Sequence, residues 1–268
     1  MLKLMTVCVL IGGMSGIAAE QAPKTKIQAL IATGRNTHEW NVTTPILRKM
    51  LEDTGRFEVR VMEEMRGTGP ETFAPYDVII LNYFAAEPEL RWGERAEAAL
   101  ADFVRRGKGM VVYHVALAAF NGWPEFEKMC GGNLRPDNGH HSPKHEFKVD
   151  IKDREHPITR GMKASFAEPV DDLYANVKFL PEGGYYVLAT AWDDHSLYGP
   201  DVKQPIPGPG MDRPVVWTMN YGSGRVLAIA LGHGPEALNG AGFTALLTRG
   251  SEWASGGPVT IPLPDGLK

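Results

Sequence analysis

Three of the eight histidines in the sequence follow short apolar runs that read as strands. His38 comes shortly after Lys26 to Thr33, His114 directly after Met110 to Tyr113, and His233 after Arg225 to Leu231. Imidazole exchanges protons near neutral pH and binds metals in its neutral form, so histidines brought together from separate strands suit proton transfer or metal coordination. A lone histidine at a strand end more often makes a structural hydrogen bond, but separate structural histidines have no reason to share an edge. The expectation is that His38, His114 and His233 face one crevice. Glu39 and Trp40 follow His38, and Asn82 and Tyr83 follow the run Tyr76 to Leu81, which makes Glu39, Trp40 and Tyr83 candidates to hold a substrate at that edge.

A second polar cluster runs from Asn138 to His145. Neighbours in an extended segment point to opposite sides, so His140 and His141 are not expected to serve one site together. One of them is a candidate to join His114 around a divalent metal such as zinc; a solvated loop that happens to hold histidines is the equal alternative. Glu168, Asp171 and Asp172 stand just before Leu173 and Tyr174, and adjacent aspartates are most often a solvated turn. Trp40, Trp123 and Trp217 offer flat apolar faces on which sugar rings stack, although tryptophans are more often core. Cys130 follows a helical pattern with Phe126 and Met129 and reads as a small buried hydrophobe. His156 before Pro157 reads as turn chemistry. There is no Gly-x-Ser-x-Gly elbow, phosphate-binding Gly-x-x-x-x-Gly-Lys-Ser/Thr or complete Gly-x-Gly-x-x-Gly turn, which removes support for serine hydrolysis, nucleotide hydrolysis and a dinucleotide cofactor.

The elements that must position these residues are legible in outline. Lys26 to Thr33, Phe57 to Met62, Tyr76 to Leu81 and Met110 to Tyr113 read as strands. Between them, Thr44-Pro45 reads as the start of a helix closed by Gly55, and Arg91 to Arg106 places Trp92, Ala96, Ala99, Leu100, Phe103 and Val104 on one helical face. Pro124 to Cys130 is a further short helix. Buried strands separated by amphipathic helices signal an open, mostly parallel sheet of the α/β class, in which ligands bind outside the carboxyl ends of the strands. The second half changes character: His145 to Ile151, Tyr185 to Trp192, Val215 to Asn220 and Arg225 to Leu231 read as added antiparallel strands, the last two joined by a hairpin at Tyr221 to Gly224. A final helix spans Gly242 to Trp253. The Pro- and Gly-rich stretch from Asp193 to Pro214 reads as a lid.

The first residues read as an export signal: Lys3, an apolar run to Ile17, then Ala18-Ala19. This assigns residues 1–19 to a signal peptide and 20–268 to a single domain, secreted or periplasmic. No later run is apolar enough to be a membrane span. Cys8 leaves with the signal, so Cys130 has no partner within the chain and neither a disulfide nor a cysteine zinc site is expected. A net charge of -4 and no basic block with aromatics argue against nucleic acid. A homo-oligomer is left open.

Taken together the residues resemble the ThuA-like proteins of trehalose utilisation, a family with the class I glutamine-amidotransferase-like fold. The resemblance rests on Thr33-Gly34 with Thr37 to Trp40; Tyr76 to Ile80; Phe103 to Gly109 running into Tyr113-His114; Gly131-Gly132; His156 to Thr159; Asp171 to Tyr174; Pro214 to Trp217; Tyr221 to Val226; and Leu231 to His233. It implies a flavodoxin-like sheet and a role in sugar metabolism, often beside oxidoreductases that make 3-keto sugars. It does not imply glutaminase activity, since His114 stands where an amidotransferase carries its cysteine. Lys108 interrupts the family's usual glycine run. The match of the Asp171 to Tyr174 segment is what raises Asp172 above a solvated turn. The resulting expectation is an enzyme acting on a glycoside or keto-sugar by hydrolysis, elimination or isomerisation: His114 and Asp172 exchange protons, His38, His233 and Tyr174 hold hydroxyls, and Trp40 or Trp123 stacks on the ring. The alternative is a carbohydrate-binding or scaffolding protein without catalysis.

Overall fold

The computed structural model describes residues 26–85, 91–137, 139–198 and 210–268. The assigned signal peptide, with Cys8, lies outside them. Nine strands form one sheet: β1 (Ile27–Ala32), β2 (Phe57–Met62), β3 (Val78–Leu81), β4 (Gly109–Tyr113), β5 (His145–Ile151), β6 (Ser165–Asp171), β7 (Tyr185–Asp193), β8 (Met211–Tyr221) and β9 (Gly224–Ile229), in the order β2-β1-β3-β4-β9-β8-β7-β5-β6. From β2 to β9 neighbouring strands run parallel; from β9 outward they are antiparallel. Every residue of β3 and β4 is buried. Such two-sided burial is why these strands read as unbroken apolar runs instead of alternating ones.

Helices cover both faces. On one lie α1 (Trp40–Asp53), the turn Pro235–Leu238 and a C-terminal helix, Ala241–Ala254; on the other lie α2 (Glu94–Arg105) and α3 (Pro124–Cys130). The C-terminal helix fits against β9 through Gly250, where an added Cβ would lie 2.0 Å from Leu227. No helix among the described residues is long and apolar enough to cross a membrane.

Three local expectations need correction. First, α1 begins at Trp40, and Pro45 lies inside it. The reason is Glu39, whose left-handed backbone (φ 42) aims its carbonyl at the amides of Val42 and Thr43, at 2.8 and 3.0 Å, and so starts the helix one turn early. Second, the segment before Leu173 is not a solvated turn: β6 pairs with β5, and Glu168, Asp171 and Asp172 are 0%, 0% and 2% exposed. Third, the stretch assigned to a lid is strand at both ends, with Asp193 opposite Met211 and Thr190 opposite Pro214, and a buried Arg213–Asp193 ion pair at 3.1 Å bracing them. Residues 199–209 of that stretch lie outside the described residues.

Candidate functional site

Because β1, β3, β4 and β9 are parallel, the residues that follow them emerge on one edge. His114 comes directly off β4 with its backbone in the left-handed region (φ 45) and opens a short 3-10 turn, His114–Ala118. That conformation costs a residue with a Cβ about 1–3 kcal/mol and persists only where the surroundings fix it. Here the fixing contact is the Ala230 carbonyl, 3.1 Å from His114 Nδ1. A carbonyl only accepts, so Nδ1 carries the hydrogen and Nε2 keeps a lone pair. The ring is 1% exposed, and burial lowers its pKa to about 3, which holds it neutral.

His233 is placed by the turn after β9. Gly232 takes φ 105, and a Cβ there would lie 2.6 Å from Phe243, so the turn requires glycine. The amides of Gly232 and His233 donate to the two oxygens of Asp171, at 2.8 and 3.0 Å. Burial pushes the Asp171 carboxyl up to about 6, with those two amides pulling the other way. His233 Nδ1 then donates to Asp172 Oδ2 at 2.9 Å.

His38 is held by a relay of amides. Tyr113 donates to Asn82 Oδ1 at 2.9 Å, Asn36 donates to the same oxygen at 2.7 Å, and the His38 amide donates to Asn36 Oδ1 at 2.7 Å. Asn82 is itself anchored by donating to Thr43 and Thr44 at the start of α1. Gly34 permits the sharp exit from β1, since a Cβ there would meet the Glu63 carbonyl at 1.9 Å. Burial, and next the neighbouring His233, lower the pKa of His38 to about 4.

The three rings pack edge to face, with centroids 5.0 Å apart for His38–His114, 4.1 Å for His38–His233 and 5.0 Å for His114–His233. Tyr174 closes the floor at 4.4 Å from the His114 ring, and burial raises its hydroxyl pKa well above the usual value. Asp172 sits between the rings. Its Oδ1 lies 3.4 Å from His114 Nε2, and neither atom makes a hydrogen bond. Burial pushes the Asp172 carboxyl up, but the hydrogen bond from His233 and the nearness of His114, His233 and His141 outweigh it, and the net direction is down. Asp172 is therefore ionised at neutral pH. A cleft of about 230 Å³ with Glu39, Lys144 and Glu236 on its wall leads to His38 and His233. A larger groove of about 640 Å³ between α1 and Ile261 to Pro264 shares no residue with it.

The ThuA family model, described as trehalose utilisation, matches residues 28–254. The chain belongs to the ThuA family. Among solved structures, a ThuA-like protein from Parabacteroides merdae is 28% identical with a TM-score of 0.78, the alignment covering 91% of this chain and 95% of that one. A ThuA-like protein from Bacteroides uniformis is 21% identical at a TM-score of 0.68, covering 88% and 95%. A β-galactosidase from Rahnella is 17% identical at a TM-score of 0.56, covering 90% of this chain but 33% of the galactosidase, a likeness of fold. No curated protein matches the chain.

Set against the expectations for a ThuA protein, the structure brings His38, His114, Asp172, Tyr174 and His233 into one cluster. Of the two alternatives His140 and His141, it is His141 that comes near, its strand pairing with Tyr174 setting its Nδ1 3.3 Å from Asp172 Oδ2. Glu39 lines the cleft, and Trp40 is half-buried in the first turn of α1. The expected metal set of His114 with His140 or His141 is not among the described groups whose ligating atoms lie close together. His140 packs on Tyr198 at 5.0 Å, and the described groups whose ligating atoms lie within 4.8 Å of one another are His38/His114/His233 and His114/Asp171/Asp172. Tyr83 and Trp123 lie in an aromatic cluster with Trp92, Phe120 and Phe126, with no ring contact to the histidines among the described residues. Trp217 is wholly buried, its indole donating to the Cys130 carbonyl at 2.8 Å. Cys130 is buried too, which pushes its thiol up to about 12. Sequence reasoning did not assign Asp171, Asn36, Asn82 or Lys144 to the site, although Asn36 and Asn82 follow strands and Asp171 stands in the segment that carries the resemblance. Lys144 lies in a loop that sequence spacing does not locate.

Proposed function

We propose that this ThuA protein is an enzyme of carbohydrate metabolism that acts on a glycoside or keto-sugar by proton transfer, as a hydrolase, lyase or isomerase. The observation that carries the reading is the pairing of an ionised Asp172 with a neutral, buried His114 inside a ring of histidines. A keto-sugar has an acidified C–H beside its carbonyl, and a positioned carboxylate is a competent base for it. Asp172 is aimed by His233 at one oxygen and presents the other, without a hydrogen-bond partner, towards the His114 ring. His38, Tyr174 and the cleft residues Glu39 and Lys144 supply polar contacts for hydroxyls. A binding protein would need no ionised carboxylate beside a neutral, buried imidazole. The family's link to trehalose utilisation supports a sugar as the ligand. We also propose export, with the mature chain beginning at Ala19 or Glu20.

The test is to offer purified protein a panel of disaccharides and their 3-keto derivatives and follow products by NMR. Conversion of a keto-sugar is expected. Saturable binding without conversion of any member would favour the non-catalytic reading. Mass spectrometry of protein from its native host checks export, and an intact Met1 would contradict it.

A further inference from the structure

We propose that His38, His114 and His233 together bind a divalent transition-metal cation of the zinc type through their Nε2 atoms, with Asp172 facing the position left open for a ligand. The three residues each offer a ligating nitrogen, all within 4.8 Å of one another. A zinc ion bound at 2.0–2.1 Å sets its ligand atoms about 3.3 Å apart, so small rotations of the rings would close the set.

The Nδ1 contacts point the same way. In each ring Nδ1 is already engaged by an oxygen: the Ala230 carbonyl for His114 at 3.1 Å, the Asp172 carboxylate for His233 at 2.9 Å, and the Thr37 hydroxyl for His38 at 2.9 Å. Metal-bound histidines characteristically donate their other N–H to a carboxylate, carbonyl or similar acceptor, which fixes the ring and directs the remaining lone pair at the ion. Here each Nε2 is the atom left over.

A second observation is independent of that pattern. His114 Nε2 and Asp172 Oδ1 are buried, lack hydrogen-bond partners and face each other at 3.4 Å. Both are acceptors, because the His114 hydrogen is on Nδ1. Two buried acceptors without a shared hydrogen are costly unless something electron-poor lies between or beside them. A cation bound to Nε2 supplies it.

Three protein ligands and an open position are the arrangement of catalytic zinc sites. The inference rests on the sugar-site reading only for what the ion would act on, a keto or hydroxyl oxygen held in the open position. Metal binding itself stands or falls separately.

The test uses the full mature chain, stripped with chelator and titrated with zinc by calorimetry, with cobalt(II) absorption as a second readout. A single zinc is expected to bind, with visible cobalt bands. His38→Ala and His233→Ala are each expected to weaken zinc by more than about 100-fold, beyond what loss of an outer partner does, while His140→Ala binds like the wild type. Thermal unfolding shows which variants are folded; should His114→Ala not fold, the two partly exposed histidines carry the test. Wild type that takes up no zinc, or His38→Ala and His233→Ala that bind it as tightly as wild type, would overturn the proposal. Zinc bound at these histidines by a protein that converts no sugar would keep this inference and remove the proposed function. Sugar conversion at full rate by protein shown to bind no metal would do the reverse.

Discussion

The Oδ1 of Asp172 and the Nε2 of His114 face one another at 3.4 Å, both buried and neither hydrogen-bonded. They arrive there from β6, the last strand of the mixed sheet, and from β4 near its middle. Asp171 ties the two regions together, because it accepts the amides of the Gly232–His233 turn that follows β9, the neighbour of β4.

Asp171 should therefore matter through position. Asp171→Ala leaves the amides of Asp172, Gly232 and His233 without this acceptor, at about 1–3 kcal/mol for each that stays buried. The expected result is a melting temperature lower by several degrees and a fall in turnover, with Asp171→Asn recovering part of both because its amide oxygen still accepts. Calorimetry and kinetics on the two variants check this; equal behaviour of Ala and Asn would count against it.

Gly232→Ala acts on the same turn from the backbone side. A left-handed φ of 105 and a Cβ 2.6 Å from Phe243 make the change strained by both counts, of order 1–3 kcal/mol. Chemical denaturation should show the loss, and activity should fall further than stability as His233 shifts. Wild-type stability in this variant would show that the turn relaxes freely.

Glu168 supplies a pH signature. It is wholly buried, neither oxygen has a partner, and burial, followed by the charge of Asp171, raises its pKa to about 9. A carboxyl whose folded pKa is raised opposes folding once the unfolded chain ionises: the penalty is absent below about pH 4.5 and grows as pH rises towards 9. Glu168→Gln removes that dependence. The melting temperature of the variant should gain on the wild type between pH 5 and pH 9, and a constant difference across that range would contradict the buried neutral state.

Much of this arrangement was legible in the sequence, for a physical reason. Central parallel strands must be apolar on both faces, so Val78 to Leu81 and Met110 to Tyr113 stand out without any periodicity, and the rule that ligands sit at the carboxyl ends then selects His38, His114 and His233. What stayed hidden depends on pairing between distant segments. β6 carries Glu168, Pro169 and Asp171, a composition that reads as a turn, and only its ladder with β5 makes it a strand. Burial of Asp172 follows from that ladder. The neighbourhood of His141 likewise follows from its pairing with Tyr174, which nothing in the local sequence announces. The early start of α1 turns on one backbone angle at Glu39.

The measurement that bears most directly on the account is the rate at which wild type, Asp172→Asn and His114→Ala convert a 3-keto-disaccharide, followed by NMR alongside thermal unfolding of each protein. Positioned acids and bases contribute about 10²- to 10⁴-fold, so both variants are expected to lose more than about 100-fold in turnover while unfolding cooperatively near the wild-type temperature. Full activity in folded Asp172→Asn, on a substrate that the wild type converts, would contradict the assignment of this carboxylate as the base.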